Sequence, residues 1–302
     1  MPMLSLVLII SSLYTSALLS YLPGILKGKK DARSAQPLLV TLTIEMAMCC
    51  IAFLLSHCTD PGKVPDAFPW NPKAKQTEGD TTRKSLGIER KLDGRRRYCR
   101  FCGKFKPDRS HHCRVLGKCV LEMDHFCPWI NNTVGFLNHK YFVLLLLYGV
   151  AAMITYDVLM FDKFRAAVSH TLTSADAIIV LVWFFAVMLT VVVFAFLVFH
   201  IYLISFGFTT IEFCEKYRAP DSKVYKANGA MVKDVYSKSL FDKGVWRNFK
   251  HVLGPNPLLW LVPARIGMSD DGTSIEPRWD AALDVDAAAH GRASHPPTLK
   301  QP

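Results

Sequence analysis

Four long apolar runs limit what this chain can fold into more than any other feature of its sequence. At about 1.5 Å per helical residue, each run is long enough to cross a hydrocarbon core of about 30 Å. A single run could be a buried helix of a soluble protein, but four runs argue against that class. We therefore predict an all-α polytopic membrane protein with four transmembrane helices. The runs cover roughly residues 4–22, 37–57, 142–161 and 177–204 of the 302-residue chain.

The first apolar run lies close to the N-terminus and could be a cleaved signal peptide. Its first residues, Met-Pro-Met, carry no basic side chain, and no clear small-residue cleavage site is present. We therefore predict a retained helix that ends at Pro23-Gly24. The first two runs would form one transmembrane hairpin over residues 1–57, and the last two a second hairpin over 141–204.

Basic residues are distributed unequally over the segments between these runs. Residues 58–140 contain 17 Lys and Arg and the segment after 204 contains 13, against 4 in 24–36 and 2 in 162–176. Basic residues mark the cytosolic side of a membrane, so we expect the first two segments to be cytosolic. The membrane would be of the endomembrane system (ER or Golgi) or the plasma membrane. A net charge of +11 then suits a lipid surface or cofactor phosphates, and four spans argue against nucleic acid as a partner.

The cytosolic parts divide further by composition. Residues 58–140 combine a polar linker with a small cysteine-rich domain. That domain is too small to fold by apolar burial alone and needs a metal or another cross-link to hold it together. Residues 205–268 form a tail that we expect to pack on the membrane domain. Residues 269–302 are poor in large apolar side chains, which is typical of a disordered tail.

The cysteine-rich domain contains a set of metal-ligand residues. Cys99 and Cys102 are separated by two residues, and His112 and Cys119 follow. Three thiolates and one imidazole suit a closed, tetrahedral and therefore structural Zn²⁺ site, with His111 as an alternative imidazole ligand. In a reducing cytosol, cysteines are metal ligands or nucleophiles more often than disulfide partners.

A second group of reactive side chains follows, in the sequence Asp124-His125-Phe126-Cys127-Pro128-Trp129. Cysteine attacks as a thiolate; a neighbouring histidine can remove its proton, and a carboxylate can orient that histidine. Spacing alone also allows Cys127 to be one more zinc ligand. Trp129 stands just before the third apolar run, where an amphipathic aromatic side chain suits the membrane interface.

These residues resemble those of the DHHC family of protein S-acyltransferases, the membrane palmitoyltransferases. The resemblance covers the second helix through about residue 254. The matching residues are Asp60-Pro61-Gly62, Cys99-x2-Cys102-x3-Lys106-Pro107-x-Arg109, His111-His112-Cys113, Cys119-Val120-Leu121, Met123-Asp124-His125, Cys127-Pro128-Trp129, Asn131-Asn132, Val134-Gly135, Asn138, Thr209-Thr210-x-Glu212, Gly244 and Asn248.

The resemblance implies a two-step acyl transfer from acyl-coenzyme A, with palmitoyl-CoA the expected donor, to cysteines of client proteins. Cys127 would be the nucleophile, His125 its base and Asp124 the group that orients the base. Cys99, Cys102, His112 and Cys119 would form the first of two family zinc sites. The implied supporting residues of the active site are Trp129, Thr209, Thr210, Glu212 and Asn248.

The chain departs from the family at the second zinc site, and the same departure changes the signature to Asp-His-Phe-Cys. That site would use Cys113 and the positions of Leu116, Phe126 and Thr133, of which only Cys113 offers a thiolate. One thiolate cannot hold a tetrahedral zinc, so we predict one structural zinc rather than two. Leu116 and Phe126 would replace coordination by packing. Because Asp124, His125 and Cys127 are all kept, we expect an active enzyme.

A different class of function remains open from the sequence. A zinc-stapled membrane scaffold or accessory subunit, weak or inactive in catalysis, would share the fold and the zinc but would tolerate loss of Cys127. The acyltransferase itself could require a partner subunit. A metal transporter would need ligands facing one another within the helices, and Glu45 alone gives little support for one.

Overall fold

The computed structural model describes residues 2–28, 34–74, 89–91, 95–169, 173–218, 224–227, 230–233, 239, 241–268 and 270–273. Four long helices are α1 (Pro2–Leu26), α2 (Gln36–Cys58), α3 (His139–Val168) and α4 (Ser174–Ser205). The short helices are α5 (Thr210–Arg218), α6 (Val245–Leu253) and a 3-10 turn (Pro257–Leu259). The strands are β1 (Glu89–Arg90), β2 (Tyr98–Cys99), β3 (Lys104–Phe105), β4 (His111–Cys113), β5 (Lys118–Val120), β6 (His125–Cys127), β7 (Asn132–Val134), β8 (Val224–Ala227) and β9 (Ala230–Lys233).

All four long helices are long and apolar enough to cross a membrane, which confirms the predicted fold class. Each extends a few residues beyond the apolar run that predicted it. Most of the segment 269–302, which we predict to be disordered, lies outside the described residues. Residues 75–88 of the linker also lie outside them. The domain boundaries that we inferred from composition stay predictions.

The predicted end of α1 at Pro23-Gly24 is wrong. Pro23 lies inside the helix, which continues to Leu26. Proline lacks a backbone N–H but keeps its carbonyl as an acceptor, and the Lys27 amide donates to the Pro23 carbonyl at 3.2 Å. Gly28, at φ 71°, ends the helix, because glycine adopts this left-handed conformation without steric cost.

The contacts divide the chain into two compact units. The first, called the helical unit, contains residues 1–61, 125–202 and 252–268, and the second, called the cysteine-rich unit, contains 62–124, 203–251 and 269–302. In the helical unit, small residues allow close helix packing: Ala17 and Ala52 are fully buried, and Ala152 and Ala186 nearly so. Two apolar clusters result, one of which includes Cys127 of β6.

A segment of the tail packs along α3 within the helical unit. The buried Lys140 ammonium donates to the carbonyls of Leu259 at 2.9 Å and Ala264 at 2.8 Å. Eight residues further along α3, the Tyr148 hydroxyl donates to the Leu261 carbonyl at 2.6 Å. These bonds satisfy carbonyls of the irregular tail and at the same time compensate the burial of the lysine charge.

The cysteine-rich unit is built from short antiparallel strands rather than from loops alone. β2 pairs with β3, β4 with β5, and β8 pairs with both β1 and β9. Val64 and Trp70 of the linker are buried in this unit, and the Val64 amide donates to the Cys119 carbonyl at 3.1 Å. The described part of the linker therefore belongs to the core of this unit.

Candidate active site and metal centre

The two hairpins of the cysteine-rich unit bring the four predicted zinc ligands together. Cys99 ends β2 and Cys102 lies in the β2–β3 turn, which Gly103 closes at φ 65°. His112 lies directly opposite Cys119 in the β4–β5 register. His111 points to the other side of the strand because side chains alternate, and it is not part of the cluster.

The distances within this cluster fit a tetrahedral zinc site. The His112 Nδ1 atom lies 3.3 Å from the sulfur of Cys102, 3.5 Å from that of Cys99 and 3.9 Å from that of Cys119. Bond lengths of about 2.3 Å for Zn–S and about 2.0 Å for Zn–N separate such ligand atoms by roughly 3.6 Å. The Phe101 ring stacks on His112 with centroids 5.0 Å apart, which holds the imidazole in place. The four residues could therefore hold one structural zinc.

The reactive cysteine lies on the β6–β7 hairpin of the helical unit. The period of two along a strand puts His125 and Cys127 on one face of β6 and Phe126 on the other. Cys127 is 5% exposed and packs with Ile130, Val134 and other apolar residues. A thiol and an imidazole are therefore held side by side in a largely water-free cluster.

The surroundings of Cys127 favour its thiolate. Burial alone would raise the pKa of the thiol. Hydrogen bonding to His125 and to the backbone N–H groups of Ile130 and Trp129 outweighs burial and holds the pKa below its ordinary value. The Trp129 side chain is half exposed and its backbone N–H makes the bond to Cys127, while its predicted supporting role stays a prediction.

Two buried asparagines fix the hairpin that carries Cys127. The Asn132 amide donates to the carbonyls of Ser56 at 3.1 Å, His57 at 3.0 Å and Thr59 at 2.9 Å. These carbonyls lie at the C-terminal end of α2, where no intrahelical donor is available. Asn138 adds bonds to the carbonyls of Ser56 at 3.3 Å and Thr133 at 2.9 Å. The hairpin is thereby attached to α2.

In the cysteine-rich unit, Asp124 is bound by the Thr-Thr-x-Glu motif. Both Asp124 carboxylate oxygens accept hydrogen bonds from Thr210, one from its backbone N–H at 2.8 Å and one from its hydroxyl at 2.7 Å. Thr209 and Glu212 form a capping box at the start of α5: the Thr209 amide donates to Glu212 at 2.9 Å, and the Glu212 amide donates to the Thr209 hydroxyl at 3.2 Å. The motif therefore starts a helix and fixes a carboxylate.

Arg109 connects this motif to the rest of the cysteine-rich unit. Its guanidinium donates two bonds to Glu212, at 2.9 and 2.8 Å, and one to the Gly207 carbonyl at 2.9 Å. Burial would lower the pKa of Arg109, but Glu212 and Glu122 outweigh burial and hold the pKa above its ordinary value. The sequence matched Arg109 to a family motif without indicating this network.

Asn248 of α6 fixes the end of α4 within the same unit. Its amide donates to the Ser205 carbonyl at 3.0 Å and to Asp242 at 2.7 Å, and its oxygen accepts from the Lys243 amide at 2.9 Å. Gly207 allows the close approach, since a Cβ atom there would lie 2.8 Å from Asp242. Asn248 is therefore a structural partner of the turn after α4, and its support of the active site stays a prediction.

Sequence reasoning missed one residue near the reactive pair, His200 of α4. This histidine is 1% exposed, and its ring centroid lies 5.7 Å from that of His125. The available signal was a single ionisable residue inside an apolar run, and such residues are rare in membrane helices without a function.

Comparison with known proteins agrees with this geometry. The model of the DHHC palmitoyltransferase family matches residues 93–217, which include the cysteine-rich hairpins and the Thr-Thr-x-Glu motif. The chain is 35% identical over 252 residues to Probable protein S-acyltransferase 15 of Arabidopsis thaliana, covering 82% of this chain and 92% of the relative. The chain belongs to the DHHC palmitoyltransferase family.

Two further relatives support the same assignment. Probable protein S-acyltransferase 16 of Arabidopsis thaliana is 32% identical over 247 residues, with 80% of this chain and 81% of the relative covered. Palmitoyltransferase ZDHHC15 of Xenopus laevis is 30% identical over 238 residues, with 73% and 67% covered. The expectation of a DHHC-family acyltransferase enzyme is confirmed, while the roles of individual site residues stay predictions.

Proposed function

We propose that this chain is a protein S-acyltransferase that carries a fatty acyl group, palmitoyl by preference, on Cys127. The donor is acyl-CoA and the acceptors are cysteine thiols of client proteins. The observation that carries the proposal is the pairing of His125 with Cys127 on one face of β6, with the pKa of the thiol held below its ordinary value. That pairing provides a nucleophile at neutral pH.

The reaction proceeds in two balanced steps. In the first, the Cys127 proton moves to His125, the thiolate attacks the acyl-CoA carbonyl, and the C–S bond to CoA breaks. The departing CoA sulfur takes the proton from His125. In the second, His125 takes the proton of a client thiol, the client sulfur attacks the Cys127 thioester, and the C–S bond to Cys127 breaks. The released Cys127 sulfur takes the proton from His125.

Asp124 is the residue that we assign to orient His125 and to stabilise its charged form. It is the neighbour of His125 in the chain, and its two bonds from Thr210 support this assignment by fixing the carboxylate. Thr209, Glu212 and Asn248 act further away. Thr209 and Glu212 cap the helix that begins at Thr210, and Asn248 fixes the turn before that helix.

One structural zinc, bound by Cys99, Cys102, His112 and Cys119, completes the proposed enzyme. Bound zinc supplies folding free energy to the cysteine-rich unit and takes no part in acyl transfer. The excess of Lys and Arg in 58–140 and in the tail supports a cytosolic position for the reactive hairpin, in an endomembrane or the plasma membrane. A partner subunit is compatible with this arrangement.

The test is acyl-enzyme formation by purified protein with a labelled palmitoyl-CoA analogue. We expect a hydroxylamine-labile label on the wild type that Cys127→Ser abolishes and Cys113→Ser keeps. Cys113 is the matched control, because it is also a buried strand cysteine and lies outside the zinc cluster. Label that survives Cys127→Ser, or no label on folded, zinc-loaded wild type, would favour the scaffold or accessory-subunit function instead.

A further inference from the structure

A buried histidine of α4, His200, lies beside the proposed base without a role in the mechanism above. It is five residues from the end of α4 and is 1% exposed. Burying an imidazole in an apolar helix costs free energy that any apolar side chain would avoid. The position of His200 therefore needs a reason that its ring nitrogens supply.

Aromatic rings surround His200 and hold its orientation. Phe196, one turn earlier on α4, contacts it edge to face with centroids 4.6 Å apart. Phe142 of α3 makes the same type of contact at 5.1 Å, and Phe199 at 5.7 Å. Such edge-to-face contacts favour one ring orientation over others.

The same rings also contact His125. Phe142 lies 5.2 Å and Phe196 6.5 Å from the His125 ring centroid, both edge to face. The two imidazole planes are tilted by 40°, and a ring nitrogen of His200 lies within 4.8 Å of one of His125. Catalytic hydrogen bonds are often long before substrate binds, so this separation is compatible with a hydrogen bond that forms in the reacting state.

We propose that His200 is a positioning residue for His125: its neutral ring accepts a hydrogen bond from His125 when His125 becomes an imidazolium. The inference rests on the proposed function, in which His125 takes the proton of Cys127. No covalent bond of His200 is made or broken in the reaction. The proton passes from Cys127 to His125 and on to the CoA sulfur, and His200 stabilises the charged intermediate state of the base.

The decisive variant is His200→Phe, which keeps an aromatic ring in the apolar cluster and removes both nitrogens. We expect it to slow acylation of Cys127 by palmitoyl-CoA by roughly 10-fold to 100-fold, through kcat with little change in KM. His200→Gln, which keeps a hydrogen-bond acceptor, should recover part of the rate. Phe184→Leu is the control, since Phe184 is an exposed aromatic residue of the same helix, and it should act like the wild type.

The outcomes separate this inference from the proposed function. A wild type that does not acylate Cys127 overturns the proposed function itself. If the wild type acylates Cys127 and His200→Phe does so with the same kcat, only the inference is overturned, because packing then accounts for the histidine. Where His200→Phe does not fold, His200→Asn and His200→Leu provide a pair of nearly equal size, and equal kcat values for the two overturn the inference as well.

Discussion

Two β-hairpins of this chain have the same design and are held by different chemistry. Both are formed by two three-residue strands in antiparallel register, β4–β5 and β6–β7. In the first, His112 lies opposite Cys119, and both belong to the metal cluster. In the second, the corresponding central pair is Phe126 and Thr133, which offers no thiolate or imidazole.

The second hairpin replaces coordination with hydrogen bonds and packing. Asn132 and Asn138 attach it to the end of α2, while Ile130 and Val134 bury it in an apolar cluster. A metal fixes its ligands to one another, whereas these bonds fix the hairpin to its neighbouring helices. The position of Cys127 is therefore determined by the membrane helices, and changes in those helices should affect catalysis.

The largest expected effect comes from removing a ligand in the first hairpin. Cys119→Ser should abolish zinc retention, because three ligands do not close a structural site, and zinc binding contributes on the order of 10 kcal/mol to folding. Zinc content and protease sensitivity of residues 98–120 measure this effect. Cys113→Ser in the same hairpin should keep its zinc, and a Cys119→Ser protein with wild-type zinc content would refute the assigned ligand set.

In the second hairpin, Asn132→Ala should lower the free energy of unfolding by roughly 3 kcal/mol, because the carbonyls of His57 and Thr59 lose their donor and that of Ser56 keeps only its longer bond, from Asn138. Acylation should fall with it, while zinc content stays unchanged. Thermal unfolding in detergent and the labelling assay provide the two measurements. The neighbouring Asn131→Gly is the control, since Asn131 is exposed and glycine tolerates its φ of 48°. Equal melting temperatures for the two variants would argue against the asparagine attachment.

The two hairpins also differ in what their histidines do, and pH should reveal it. Hydrogen bonding to His125 contributes to lowering the pKa of Cys127, so alkylation of Cys127 should have its midpoint below that of an ordinary thiol, about 8.5. His125→Ala should raise that midpoint and so reduce the thiolate fraction at neutral pH. The rate of iodoacetamide labelling against pH measures it, with Cys127→Ser identifying the labelled thiol. An unchanged midpoint in His125→Ala would remove His125 as the base.

The smallest effect is expected from making the second hairpin resemble the first. Phe126→His places an imidazole opposite Thr133, as His112 stands opposite Cys119. One added donor does not complete a tetrahedral site, so zinc content should stay at the wild-type value. The stability should change by about 1 kcal/mol. Metal analysis of wild type and variant decides, and an additional zinc in the variant would contradict the expectation.

Sequence reasoning worked where the signal is local. The four helices follow from the length of their apolar runs, and Cys99 and Cys102 from their spacing within a short turn. Sequence reasoning failed where the partner of a side chain lies far away along the chain. The Asn132 bonds reach back 73 to 76 residues, and the side-chain environment of His200 includes residues of three elements. The predicted end of α1 was wrong because the Pro23 carbonyl still accepts a backbone bond, which lets the helix continue to Leu26.

The bonds between Lys140 and the tail have a consequence for the order of folding. The acceptor carbonyls, of Leu259 and Ala264, follow Lys140 by 119 and 124 residues. At ribosomal rates of about 5–20 residues per second, α3 is made roughly ten seconds before its lysine can find them. During that time the ammonium must stay hydrated, which keeps the start of α3 at the water boundary. Assembly of the helical unit is therefore completed only after synthesis has passed residue 264. A chain interrupted earlier would leave the Lys140 ammonium in a buried position without the carbonyls that compensate its charge.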